Sequence, residues 1–167
     1  VRATRQSLLD LPLDAYLEFR VGIEAGFNTA AKFLRQQNIH RVLDLPYQSQ
    51  LVPLAAIFAE IGDKAEHAGH MAKIARWFWC GIFGELYGGG FESRFAKDIV
   101  EVPAWLDGGP EPSTVSEGVF RANRLLTMRT RQSAAYKGIH ALLMREGAKD
   151  LRSGQGYNLA VFFDENV

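Results

Sequence analysis

The chain has 167 residues, 47% hydrophobic and 23% charged, which suits one globular domain with enough apolar material for a core. Nineteen Lys and Arg balance nineteen Asp and Glu, so the overall sum excludes the strong pull of a basic nucleic-acid or membrane binder. One cysteine, Cys80, excludes a disulfide framework and points to a reducing, cytoplasmic setting.

In chain order, Pro12 stands as a first-turn residue before an apolar stripe of Leu13, Tyr16, Leu17 and Val21. Phe27, Ala30, Ala31 and Leu34 continue it, with Gly26 expected to bend the helix or divide it. Residues 38–50 form a connection in which Pro46 holds Leu45 out of helical geometry. Leu54, Ile57, Phe58 and Ile61 give a second helix, ended by Gly62. Met71, Ile74, Ala75, Phe78 and Ile82 give a third. Around Trp77, Trp79 and Phe83 it is apolar on every side, which predicts the central buried helix. Its greasiest stretch, 77–83, is far short of the ~20 residues a membrane helix needs.

Phe95, Ile99, Val102 and Leu106 mark a fourth helix, which Pro103 should kink or stop. Asp107 to Ser116 is a loop by its glycines and prolines. Val119, Ala122 and Leu126 open a fifth helix. Ser133 is an N-cap for a sixth, with Tyr136, Ile139, His140 and Leu143 on one face and Gly147 at its end. Tyr157, Leu159, Val161 and Phe163 alternate as a strand whose partner is missing. The expectation is an all-α, orthogonal bundle of six or seven helices over residues 1–155. Residues 156–167 form a short β-like tail that begins a further, truncated element. A start at Val1 and a stop at Val167 without a closing element make both ends look cut, and no signal peptide precedes the first helix.

The chemistry-bearing candidates are few. His67 and His70 share a helical face beside Glu66, but no ligands complete a zinc or di-iron pattern. Gly88–Gly90 lacks the Lys-Ser/Thr of a phosphate loop and the strand of a dinucleotide fingerprint, so it reads as helix punctuation. Cys80 among tryptophans reads as an inert core thiol. Ser133 and Lys137 lie four apart, outside the Ser-x-x-Lys pattern. No catalytic residue, metal or cofactor follows from these patterns.

Charge distribution is more informative. Residues 121–152 carry Arg121, Arg124, Arg129, Arg131, Lys137, Arg145, Lys149 and Arg152 against Glu146 and Asp150. Residues 85–117 hold seven carboxylates against Arg94 and Lys97. Arg121, Arg124, Arg129, Arg131 and Lys137 are therefore candidates for contact with a phosphate or a DNA backbone. The competing reading is a solvated face, or an internal match for the acidic 85–117 stretch.

The run Arg76-Trp77-Phe78-Trp79-Cys80-Gly81-Ile82-Phe83-Gly84-Glu85-Leu86-Tyr87-Gly88 and Glu92-Ser93-Arg94-Phe95-Ala96-Lys97-Asp98 resemble blocks of one large prokaryotic family. So do Arg129-Thr130-Arg131-Gln132-Ser133-Ala134-Ala135-Tyr136-Lys137-Gly138 and the Gly147-Ala148-Lys149-Asp150 step. This is the family of GmrSD-type, modification-dependent restriction endonucleases. Such proteins join a ParB-like nucleotide-hydrolysing domain to an HNH-type nuclease domain through a helical region, and the resemblance covers most of residues 10–155. The chain has neither the Asp-Gly-Gln-Gln-Arg type motif of the first domain nor the histidine pair of the second. The resemblance thus implies a helical scaffold without a catalytic site of its own, with those two domains, and DNA, as partners.

Overall fold

The computed structural model describes residues 6, 9–128 and 130–156, and over these the chain is an all-α bundle with no strand. The first long helix, α1 (Leu13–Gln36), has 24 residues and spans ~36 Å at 1.5 Å per residue. It runs unbroken through Gly26, contrary to the expected bend. The glycine serves packing instead: a Cβ there would lie 2.2 Å from the Ala55 carbonyl oxygen of the crossing helix α2 (Leu51–Ile61). Asn38, at φ 62°, closes α1, with Ile39 N–H donating to the Leu34 carbonyl and Asn38 N–H to that of Arg35. This is the left-handed cap that only Gly and Asn adopt routinely.

The two halves of α1 differ. Gly26, Ala30, Phe33 and Leu34 are buried, with Gly26 seated on α2 and Phe33 against Phe58 and Phe78. Tyr16, Phe19 and Ile23 continue the same seam, since positions 16, 19, 23, 26, 30 and 33 advance by alternate steps of three and four. Yet Leu13 is 71% exposed and Phe19 62%. With 11 residues, α2 reaches only ~16 Å, too short to cover both halves.

Helix α2 buries Leu54, Ile57, Phe58 and Ile61 and stops at Gly62, φ 50°, as its sequence predicts. Helix α3 (Ala68–Phe83) is the centre of the bundle. Ile74, Trp77, Phe78 and Ile82 are wholly out of water, and α3 touches the helices α4, α5 and α7 defined below. The Phe33 and Phe78 rings meet edge to face at 5.5 Å, a favoured aromatic geometry. Trp79, Cys80 and Phe83, on the other side of α3, keep partial exposure.

Helix α4 (Phe91–Leu106) passes through Pro103 and continues for three residues, so the proline does not stop it. Placed in the final turn, Pro103 forfeits a single backbone hydrogen bond. The predicted loop 107–116 gives way to a short helix, α5 (Ser113–Glu117). The fifth predicted helix is reduced to α6 (Asn123–Thr127), and Val119 and Leu126 face solvent at 66% and 84% exposure. Their spacing is helical, but no neighbour lies over them.

Helix α7 (Ala134–Arg145) starts where expected, with the Ser133 hydroxyl accepting the Tyr136 N–H at 3.3 Å. Gly147, at φ 78°, and the Ala148 N–H on the Leu143 carbonyl close it. Its packing face is not the large-residue face read from sequence. Ala135, Gly138 and Ala141 are the buried positions, and a Cβ on Gly138 would be 3.0 Å from Ile82 Cγ2. Small residues bring α7 close to α3 and leave Tyr136 and His140 half-buried at the edge. Beyond α7, Lys149 and Gly156 form an isolated antiparallel bridge. The strand expected over 157–163 lies outside the described residues.

Candidate functional site

Two places concentrate polar groups. The first is sealed. Asp98 of α4 has no solvent exposure and accepts hydrogen bonds from the Tyr87 hydroxyl and, at 2.6 Å, from the Thr114 hydroxyl. Burial pushes the Asp98 carboxyl up from the ordinary value, while Thr114, Tyr87, the Trp77 indole and Arg94 hold it back. The indole N–H of Trp77 reaches toward this carboxylate but falls short of hydrogen-bond geometry. Beside it, Gln50 donates to the Phe78 carbonyl at 3.1 Å. These contacts lock the 84–90 turn, α4 and α5 to one another. A carboxylate so enclosed works as a structural tie.

The second place is open. A groove of ≈ 820 Å³ lies between residues 38–48 and α7. Its first wall follows from the end of α1. Ile39 and Leu45 are buried, and Leu45 sits at φ −57°, ψ 127°, the extended geometry that Pro46 imposes. Between them Arg41 forks onto Asp44, with contacts of 2.9 and 3.1 Å. The second wall is the outer face of α7. The Lys137 ammonium crosses the groove and donates to the Leu43 carbonyl at 2.6 Å. Among the described residues Arg41, Arg131 and Lys137 line it with a single carboxylate, that of Asp44.

The structure therefore brings Arg131 and Lys137 together and separates the rest of the predicted set. Arg124 turns to the acidic segment and forks onto Glu85, with contacts of 2.8 and 2.9 Å. Arg121 is exposed, outside the groove lining. Arg129 lies outside the described residues. Three other carboxylates of 85–117 pair with cations outside the basic segment: Asp107 with Lys64, Glu111 with Arg76 and Glu117 with Arg94. Internal neutralisation of the basic segment by 85–117 is thus confined, among the described pairs, to Arg124 and Glu85.

Sequence reasoning missed the first wall altogether. Arg41, Leu43 and Gln48 stand about ninety positions from α7, and only Pro46 hinted that this connection is shaped. It also counted Asp98 only among the seven carboxylates of 85–117, with nothing to mark it as buried.

The remaining candidates are accounted for locally. The His67 and His70 rings lie tilted against each other with centroids 4.7 Å apart, and His70 Nδ1 lies 2.9 Å from the Lys64 carbonyl. Among the described residues no group of three or more His, Cys, Asp or Glu side chains is arranged to hold a metal ion. Cys80 is partly buried, and desolvation pushes its thiol up, away from the thiolate form. Gly90, at φ 60°, caps the start of α4. Among the described residues no helix is long and apolar enough to cross a membrane.

No family model matches the chain, and no solved structure does. It is similar to an uncharacterized protein, MJ0686, of Methanocaldococcus jannaschii, at 28% identity over 112 residues. The match covers 63% of this chain and 18% of that relative's length.

Proposed function

We propose that this chain is a helical scaffold and coupling domain of a DNA-targeting protein resembling the modification-dependent restriction endonucleases. It holds a ParB-like nucleotide-hydrolysing domain and an HNH-type nuclease domain in register and has no catalytic site of its own. The observation that carries this reading is the uncovered half of α1. Tyr16, Phe19 and Ile23 extend a buried seam into solvent, and an apolar face of that length usually marks a protein contact. The resemblance of residues 76–98 and 129–150 to blocks of that family supports the choice of partner domains. Co-purification of this chain with each of the two domains tests it. Binding to at least one, lost in a Phe19→Ser/Ile23→Ser variant, is the expected result; binding to neither overturns it.

The second reading is a DNA-backbone module using Arg121, Arg124, Arg129, Arg131 and Lys137. It is favoured by the excess charge of 121–152, of which the acidic segment takes up Arg124 alone among the described pairs. Phosphate contacts make affinity fall steeply with salt. Fluorescence anisotropy with duplex DNA at two salt concentrations should then show salt-sensitive binding that Arg129→Ala/Arg131→Ala removes. No binding at low salt ends this reading.

A further inference from the structure

We propose that the groove between residues 38–48 and α7 binds a small phosphate monoester with an apolar, planar body. This goes beyond the scaffold reading and does not depend on it. The groove's ≈ 820 Å³ falls in the range of small-molecule sites, which are mostly apolar with a few placed polar groups. Its make-up fits that description. Leu43 and Met144 give apolar surface, Tyr136 and His140 present rings, and Arg131 and Lys137 supply positive charge.

Charge decides the sign of the ligand. Among the described residues three cations line the groove, and the one lining carboxylate is held by Arg41. Lys137 uses one donor on the Leu43 carbonyl; an ammonium has three, and among the described residues no carboxylate lies within ion-pair reach of it. Arg131 lines the same groove, and its planar fork matches the oxygens of a phosphate. Shape decides against a bare ion. Inorganic phosphate would leave the Tyr136, Leu43 and Met144 surface wet, whereas an aryl ester covers it. Methionine adapts readily to a flat partner.

Phenyl phosphate is the probe, titrated into the full chain and followed by amide chemical shifts. The expected shifts fall on residues 38–48 and 131–148. Arg131→Ala, with folding verified by an unchanged urea midpoint, should weaken binding ~10-fold or more, the usual effect of losing a charge-assisted hydrogen bond. Arg121→Ala, a change of the same charge outside the groove, should not. Inorganic phosphate should bind ~10-fold more weakly and benzyl alcohol not measurably, since each has only one half of the recognition. Equal binding of inorganic and phenyl phosphate, equal loss in the two arginine variants, or shifts confined to α1 would each overturn the assignment.

Discussion

Tyr87 donates its hydroxyl to the carboxylate of Asp98, and neither residue reaches solvent: Tyr87 is 2% exposed and Asp98 0%. The pair links the turn after α3 to the middle of α4. Tyr87→Phe keeps the ring and deletes the donor. Its cost should be about 1–3 kcal/mol, the value for leaving one partner of a buried hydrogen bond unsatisfied, read as a lower urea midpoint with an unchanged slope. A midpoint equal to wild type would show that the bond contributes nothing.

The same carboxyl sets a pH dependence. Burial raises it above its ordinary value of 3.8, so the folded state binds the Asp98 proton more tightly than the unfolded chain does. Its contribution is complete below that value and is lost as pH rises through the folded pKa. Asp98→Asn has no such proton. The stability of wild type relative to Asp98→Asn should therefore decline as pH rises from the ordinary carboxylate range. Urea melts of both proteins at a series of pH values measure this, and a difference growing the other way contradicts it.

Phe78 lies at the junction of α1 and α3, with its ring against Phe33 and Trp79 and no exposed surface. Phe78→Ala should cost roughly 3–5 kcal/mol, because transfer and cavity terms add. Equal midpoints for variant and wild type would place α3 at the edge of the bundle rather than its centre.

Gly26→Ala tests the crossing of α1 and α2. In an open helix this change stabilises by ~1 kcal/mol. Here the new methyl would meet the Ala55 carbonyl at 2.2 Å and Ala59 at 3.0 Å, so the sign should reverse and the melting temperature should fall. Gly22→Ala, with nothing within 4 Å, should show the ordinary gain.

The outer half of α1 predicts silence. Phe19→Ser and Ile23→Ser remove exposed apolar groups and should shift stability by no more than ~0.5 kcal/mol, while Phe33→Ser unfolds the domain. A large loss at Phe19 would mean that this half is covered in the free chain.

Helices were legible in the sequence wherever a stripe had a partner. Leu54, Ile57, Phe58 and Ile61 are buried in α2 as their spacing predicts, and Ser133 caps α7. Periodicity reports helicity, not cover, so Tyr16 and Leu126 fit their stripes and still face water. Glycines carried a double meaning: Gly62 and Gly147 end helices, while Gly26 and Gly138 admit a neighbouring helix. Of the candidate site, one wall was visible through Arg131 and Lys137. The other needs a contact across ninety-four positions, from Lys137 to Leu43, which no local pattern encodes. The Arg124–Glu85 pair is one instance of the internal match with 85–117 that the charge pattern offered, although no local pattern told which arginine it would take.

Gln37, at the inner end of α1, accepts from the Trp79 indole of α3 and from Arg145 of α7, both at 3.0 Å. With Gly26 seated on α2 and Gln37 bonded to both α3 and α7, the inner half of α1 is held against sliding and against rotation about its own axis, so the outer half leaves the bundle in one fixed orientation.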